Sequence, residues 1–194
     1  MAADRCSSTM RLALLSPIHG QSIEHIARQL ENYRVFLAPF ELRHYFHVSL
    51  ESHPNLQAEL TAFAEREGHS IVFTERRQPT WRPCTAYALC ELIKTVLADH
   101  HSHDKVLIHT DTDLLVSTKA KDQLQNHRIG CGNNFFKSGN NRWKWTAKAK
   151  ADPRLKRFTQ EMLNGDHSKL RRGRVCGAYM PWSCLLYTSP SPRD

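Results

Sequence analysis

The residues of this 194-residue chain best suited to chemistry are two carboxylates one residue apart, Asp111 and Asp113. They lie in Lys105-Val-Leu-Ile-His-Thr-Asp-Thr-Asp-Leu-Leu-Val116, where residues 106–109 read as a buried strand. In an extended segment residues two apart point the same way. Two acids on one side, at the carboxyl end of an apolar strand, can grip one divalent cation. The same spacing also suits a pair of solvated loop aspartates, with Asp113 capping a turn. The elements around the pair have to decide.

Those elements alternate. Residues 10–16 read as a first strand that Ser16-Pro17 brings to a stop, followed by a loop over 16–20. Ile23, Ile26, Ala27 and Leu30 then keep helical spacing up to Pro39. A second strand over 45–50 is rich in aromatic and β-branched residues. A second helix carries Leu56, Leu60, Phe63 and Ala64 on one face, with Gly68 as its stop. Residues 70–74 form a third strand, and 85–100 the clearest helix, with Ala86, Leu89, Cys90, Ile93, Val96 and Leu97 in period. The acidic stretch supplies the fourth strand. This β-α-β-α-β-α-β order predicts an α/β fold with a mainly parallel sheet flanked by helices. In such sheets ligands bind beyond the carboxyl ends of the strands. Residues 16–19, 49–51, Asp111 and Asp113 all fall there.

Beyond Val116 the pattern is less regular. Ser117 can cap a short helix with Ala120 and Leu124. A glycine-broken strand is expected within 128–136, and Trp143 and Trp145 stand two apart as on one strand face. A helix is expected from Asp152-Pro153, with Leu155, Phe158 and Met162 inward and Gly165 as its stop. A last strand spans 174–180. Residues 1–9 are expected to be flexible and 10–183 to form one domain. Residues 184–194 break from the earlier patterning and resemble a translated sequencing adapter. The domain is therefore expected to be incomplete at its C-terminal side.

Composition narrows the classes. A 40% hydrophobic and 24% charged chain is that of an ordinary globular protein. No run approaches the ~18 apolar residues of a membrane-spanning helix. The first nine residues lack the apolar core of a signal peptide. Six cysteines without a C-x-x-C pair and twelve histidines without paired spacing make a zinc site unexpected. Residues 1–136 hold 14 Lys/Arg and 15 Asp/Glu, whereas 137–174 hold 12 basic residues against Asp152, Glu161 and Asp166. The whole positive excess sits in that late segment, which invites an anionic partner or is simply a solvated face.

Strand-D-x-D after alternating β/α units resembles the nucleotide-sugar domain of GT-A glycosyltransferases, a Rossmann-like fold. More narrowly, Leu14-Leu-Ser-Pro-Ile-His19, Tyr45-Phe-His-Val-Ser49 and Trp81 to Thr85 before a long helix resemble core-2/I-branching-type N-acetylglucosaminyltransferases. The resemblance covers about residues 10–120. It implies transfer of a sugar from a nucleotide-sugar donor to a hydroxyl of a glycan or other acceptor. Asp111 and Asp113 would hold Mn²⁺ or Mg²⁺ at the donor diphosphate. Ser16, Pro17, His19, Ser49 and Glu51 would lie near the base and ribose. The core-2/I branch can work without a metal, with basic residues on the diphosphate. Arg76, Arg77 and Arg82 follow the third strand and could reach a phosphate, or form a solvated loop. Trp143 and Trp145 could stack on a sugar, or belong to a core.

No general base can be named. Glu161 and Asp166 are in range by sequence, but Glu161 falls mid-helix, and in the resembled family the base comes later in the domain. Two other readings remain. A haloacid-dehalogenase-type phosphatase shares strand-D-x-D, but on its first strand and with Thr or Val where this chain has Leu115. A nucleic-acid-binding module would use 137–174, which carries no recognised RNA or DNA motif. Location stays open between the secretory pathway, given an anchor upstream, and the cytoplasm.

Overall fold

The computed structural model describes residues 9–80, 85–130, 133–135, 153–165, 171–173 and 177–188. The chain divides into two compact units. One comprises Met1–Gly130 with Cys176–Asp194, the other Cys131–Val175.

In the first unit, β1 (Arg11–Ile18) is buried at every position after Arg11. Its even positions Leu12 and Leu14 pack with Tyr33 and Leu37, and its odd positions Ala13 and Leu15 with Leu92 and Val96. A strand covered on both faces needs an unbroken apolar run, which is why 10–15 does not alternate. Leu14 is fully enclosed, so truncation to alanine would cost about 3 kcal/mol. Helix α1 (Ile23–Leu37) starts at Ser22, whose side chain accepts the His25 amide, and ends before Pro39. It is followed by β2 (Glu41–Val48) and α2 (Leu56–Glu67). Gly68, at φ 74°, closes α2 by donating its amide to Ala64, a left-handed conformation that glycine adopts without strain. The series continues with β3 (Ser70–Phe73), α3 (Thr85–Ala98), β4 (Lys105–Ile108) and α4 (Lys119–Asn126). The α4 cap is Thr118 rather than the expected Ser117, although Ser117 Oγ accepts the Lys119 amide.

The second unit contains β5 (Asn133–Phe135) paired antiparallel with β6 (Arg171–Gly173), and α5 (Pro153–Leu163). Gly165 follows α5 at φ 78°. The expectations for Trp143, Trp145, Arg82 and most of 137–174 lie outside the described residues, as do the side chains of Leu155, Phe158 and Met162.

Back in the first unit, β7 (Ala178–Pro181) and α6 (Trp182–Thr188) complete the layers. Leu185, inside the segment set apart as 184–194, is buried against the α3 side of the sheet. The sheet order is β3-β2-β1-β4-β7. The first four strands run parallel, and β7 joins β4 antiparallel. Helices α1, α2 and α4 supply side chains to one face, α3 and α6 to the other. The fold is α/β with a mostly parallel five-stranded sheet flanked by helices. Its chain order runs outward from β1 through β2 to β3, then returns to place β4 on the other side of β1. Such a reversal is where parallel α/β sheets open a ligand crevice, here at the carboxyl ends of β1 and β4.

Candidate functional site

The site begins with an alternation in β1. His109 donates its amide to the Leu15 carbonyl, so Leu15 faces β4, and Ser49 donates to Ile18, so Ile18 faces β2. Alternation then turns the backbone of Pro17 and His19 toward β4. The paired part of β4 has ended by that point, at Ile108 opposite Leu15. Pro17 has no amide to leave unsatisfied there, so the strand runs through it instead of stopping at Ser16, as its sequence suggested. Ser16 and Pro17 are consequently buried strand residues and not part of a loop. Ser16 Oγ has no hydrogen-bond partner among the described residues.

His19 does have an amide on that side, and it donates to Asp111 Oδ2 at 2.7 Å. This bond ties the end of β1 to the segment after β4 across the crevice. The His19 ring continues the connection toward β2, with Nδ1 2.8 Å from Thr80 Oγ1 and 3.7 Å from Glu51. Ser49 Oγ donates to Glu51 and accepts the Thr80 amide. That hydrogen bond from Ser49 is the main reason the Glu51 carboxyl is held below its ordinary range. His19, Ser49, Glu51 and Asp111 thus form one connected group, with Thr80 as an unforeseen member. Arg77 is used differently. Its Nε donates to the Val48 carbonyl at 3.2 Å and its Nη2 to Ser49, so it fastens the end of β2.

The acidic segment itself is a turn, where extended chain was expected. Asp113 donates its amide to the Thr110 carbonyl, and its Oδ2 accepts the Thr110 amide at 2.8 Å. Asp113 therefore does close a turn, while Asp111 reaches out of it to His19. Burial, the largest influence, raises the Asp111 pKa. The His19 amide, the His19 ring charge and the more distant His25 oppose it without cancelling it. Beneath the turn, His109 is enclosed at 2% exposure with its ring 4.7 Å from that of Tyr33. Burial lowers its pKa to about 4, against weaker raising effects of the Thr110 carbonyl and Asp113.

Helix α1 holds the turn from one side. Gln29 Nε2 donates to the carbonyls of Thr110 and Asp113, both at 2.7 Å. Asn32 pairs with both backbone groups of Leu115, donating at 2.9 Å and accepting at 2.8 Å. Neither residue was singled out by sequence. The available signal was a polar residue on a buried stripe, since Gln29 shares its helix face with Ile26, Leu30 and Tyr33.

The donor set suits a hard divalent ion. Asp111 and Asp113 each use Oδ2 for a backbone amide, and neither Oδ1 bonds another residue among those described. A carboxylate oxygen of this kind is a ligand type that Mg²⁺ or Mn²⁺ takes, with phosphate and water supplying the remaining ligands. The turn sends the two carboxylates different ways, however, so the same-side pair expected from an extended segment is not formed. Among the described residues no group of three or more His, Cys, Asp or Glu side chains could complete a protein-only sphere. Glu161, considered as a base, is exposed and paired with Arg157 at 2.7 Å one turn away. Asp166 lies outside the described residues.

The class the fold defines is a mostly parallel α/β sheet with its polar group at the point where strand order reverses. No family model matches the chain, and no curated protein matches it in sequence. Among solved structures it is similar to a mannosyltransferase from Pyrobaculum calidifontis in complex with GDP-Man and Mn²⁺, at TM-score 0.45 and 16% identity over 64% of this chain. The chain spans 35% of the length of that protein.

Proposed function

We propose that the carboxyl ends of β1, β2 and β4 bind a nucleotide-sugar donor, and that the chain carries the donor-binding part of a glycosyltransferase. The observation that carries this reading is the bond from the His19 amide to the Asp111 carboxylate. It stands at the reversal point between β1 and β4, where α/β sheets bind nucleotides. The motifs quoted above support the same reading.

In it, His19, Ser49, Glu51 and Thr80 form the wall beside the base and ribose. Glu51, charged over the neutral range, accepts hydrogen bonds from sugar hydroxyls. Asp111 would hold Mn²⁺ or Mg²⁺ through its free oxygen, beside the turn that Asp113 closes, and the ion when bound would neutralise charge on the diphosphate leaving group. Burial disfavours the charged form of Asp111, and a cation on its free oxygen relieves that penalty. Arg77 shapes the end of β2 by binding its carbonyls.

Calorimetric titration with UDP-, GDP- and other nucleoside-diphosphate sugars, with and without Mn²⁺, tests the reading. One class of donor should bind, and Asp111→Ala should abolish binding while the protein stays folded. Absence of binding by every donor in both conditions would remove the reading. Steeply salt-dependent RNA binding in its place would move function to the basic residues of 137–174.

A further inference from the structure

Segment 110–115 follows β4 but receives little from the sheet. Its pairing with β1 ends at the His109 amide. Order in the segment comes instead from α1, through two amide side chains three residues apart. Gln29, 1% exposed, places one nitrogen between the Thr110 and Asp113 carbonyls, the two ends of the acidic turn. Asn32, one helical turn later, meets Leu115 as a neighbouring strand would, with one bond given and one received. Four backbone groups of the segment are thereby satisfied by side chains of one helix. A carboxamide suits this use because its NH₂ carries two donors and no charge to repel the acids above it. Leucine or methionine at position 29 would fill the stripe equally well, so the polar choice there has a cost. The Gln29 oxygen is buried without a partner among the described residues.

We propose that Gln29 and Asn32 are positioning residues. By fixing the ends of the turn from α1, they aim the Asp111 carboxylate at the His19 amide and into the crevice, and so set the affinity for a cation and the diphosphate it bridges. The proposal rests on the donor-site reading for its ligand, but not for its geometry. Asp111 is the second residue of the turn that Gln29 closes, and its side chain reaches out while that of Asp113 folds back. If the turn opens, Asp111 loses its direction and gains water, although no substituted atom touches it.

The test uses Gln29→Met, close in volume and without donors, and Asn32→Ala at a half-buried position. Three readouts are taken on each full-length variant. They are amide hydrogen exchange at His19 and Thr110, the NMR shift of the His19 amide proton, which reports its bond to Asp111, and binding of UDP with Mn²⁺ and GDP with Mn²⁺. Exchange at His19 and Thr110 should accelerate at least tenfold, while amides of β1 before Pro17 stay as in the wild type. The His19 amide proton should shift upfield as its bond to Asp111 loosens, and nucleotide affinity should fall about tenfold. Wild-type exchange and an unmoved His19 amide shift in a folded variant would overturn the proposal. If Gln29→Met does not fold, Asn32→Ala decides by the same readouts. If the wild type binds neither nucleotide, the donor reading falls, and the exchange and amide-shift results still judge the two amides.

Discussion

Asp99 and Asp111 are both largely enclosed acids at loops flanking β4, and the protein treats them in opposite ways. Asp99, just past α3, has no spare oxygen. Oδ2 accepts from Arg43 at 2.7 Å and Tyr45 at 2.8 Å, while Oδ1 accepts the His101 amide and ring. Burial pushes its pKa up, but hydrogen bonds from Tyr45, Arg43 and His101 together outweigh burial and hold it well below the usual range. His103 and Trp182 pack edge-on around this network and tie it to α6. Asp111, at the other end of β4, has one amide from another residue and no cationic side chain bonded to it among the described residues. Its pKa is raised. A saturated acid of the first kind holds elements together, whereas an underpaired acid beside a crevice has capacity left for a ligand.

Acidity should separate the two regions with the largest effect. His109 is neutral in the folded protein down to about pH 4, but gains its proton near 6.5 when unfolded. A depressed folded pKa means the stability is present above 6.5 and is lost as pH falls toward 4. The loss is up to about 3 kcal/mol from this group. His44, whose pKa burial also depresses, adds in the same direction. His103, lowered by burial, adds to this early loss from within the other network, whereas Asp99 itself behaves otherwise. With its pKa lowered, its contribution is present above the unfolded value near 3.8 and declines only below it. Urea unfolding from pH 7 to 3 should show an early loss that His109→Phe reduces. A flat profile between 6.5 and 4 would contradict the burial of His109.

Substitution should sharpen the contrast further. Asp99→Asn removes the charge that Arg43 pairs with and leaves one acceptor oxygen where Arg43, Tyr45 and His101 use two. It should cost about 2 kcal/mol by denaturant unfolding, below the range for a fully buried pair because water partly reaches this one. Ser16→Ala removes a buried hydroxyl without a partner among the described residues, and should change stability by less than about 1 kcal/mol, upward if at all. Asp111→Asn should be the smallest on this scale, within about 0.5 kcal/mol at pH 7, because its charged form is disfavoured where it sits. A drop as large as that of Asp99→Asn would make Asp111 a second structural acid and erase the comparison.

Much of this was legible in advance, because burial writes a period into the chain. The three long helices and four parallel strands follow from apolar spacing, and placing Asp111, His19, Ser49 and Glu51 at strand ends follows from their order. The end of β1 escapes a local reading because Pro17 looks like a terminator. It is tolerated where β4 has parted from β1, a property of strand order and not of local propensity. The turn at Asp-Thr-Asp escapes it for a related reason. It is imposed by Gln29 from a distant helix and by Asp113 on its own loop. Thr80 joined the group only through contacts with Ser49 and His19. Long-range hydrogen bonds of this kind leave no periodic trace.

The most direct test of the central claim follows Asp111 and Asp99 together in one sample by carboxyl ¹³C NMR, before and after adding Mg²⁺ with UDP or GDP. Free Asp111 should titrate above the ordinary carboxylate range and Asp99 below it. The added ion and nucleotide should then lower the Asp111 titration and leave Asp99 unmoved. An Asp111 that titrates normally, or that ignores both nucleotides while the fold is intact, would contradict the account.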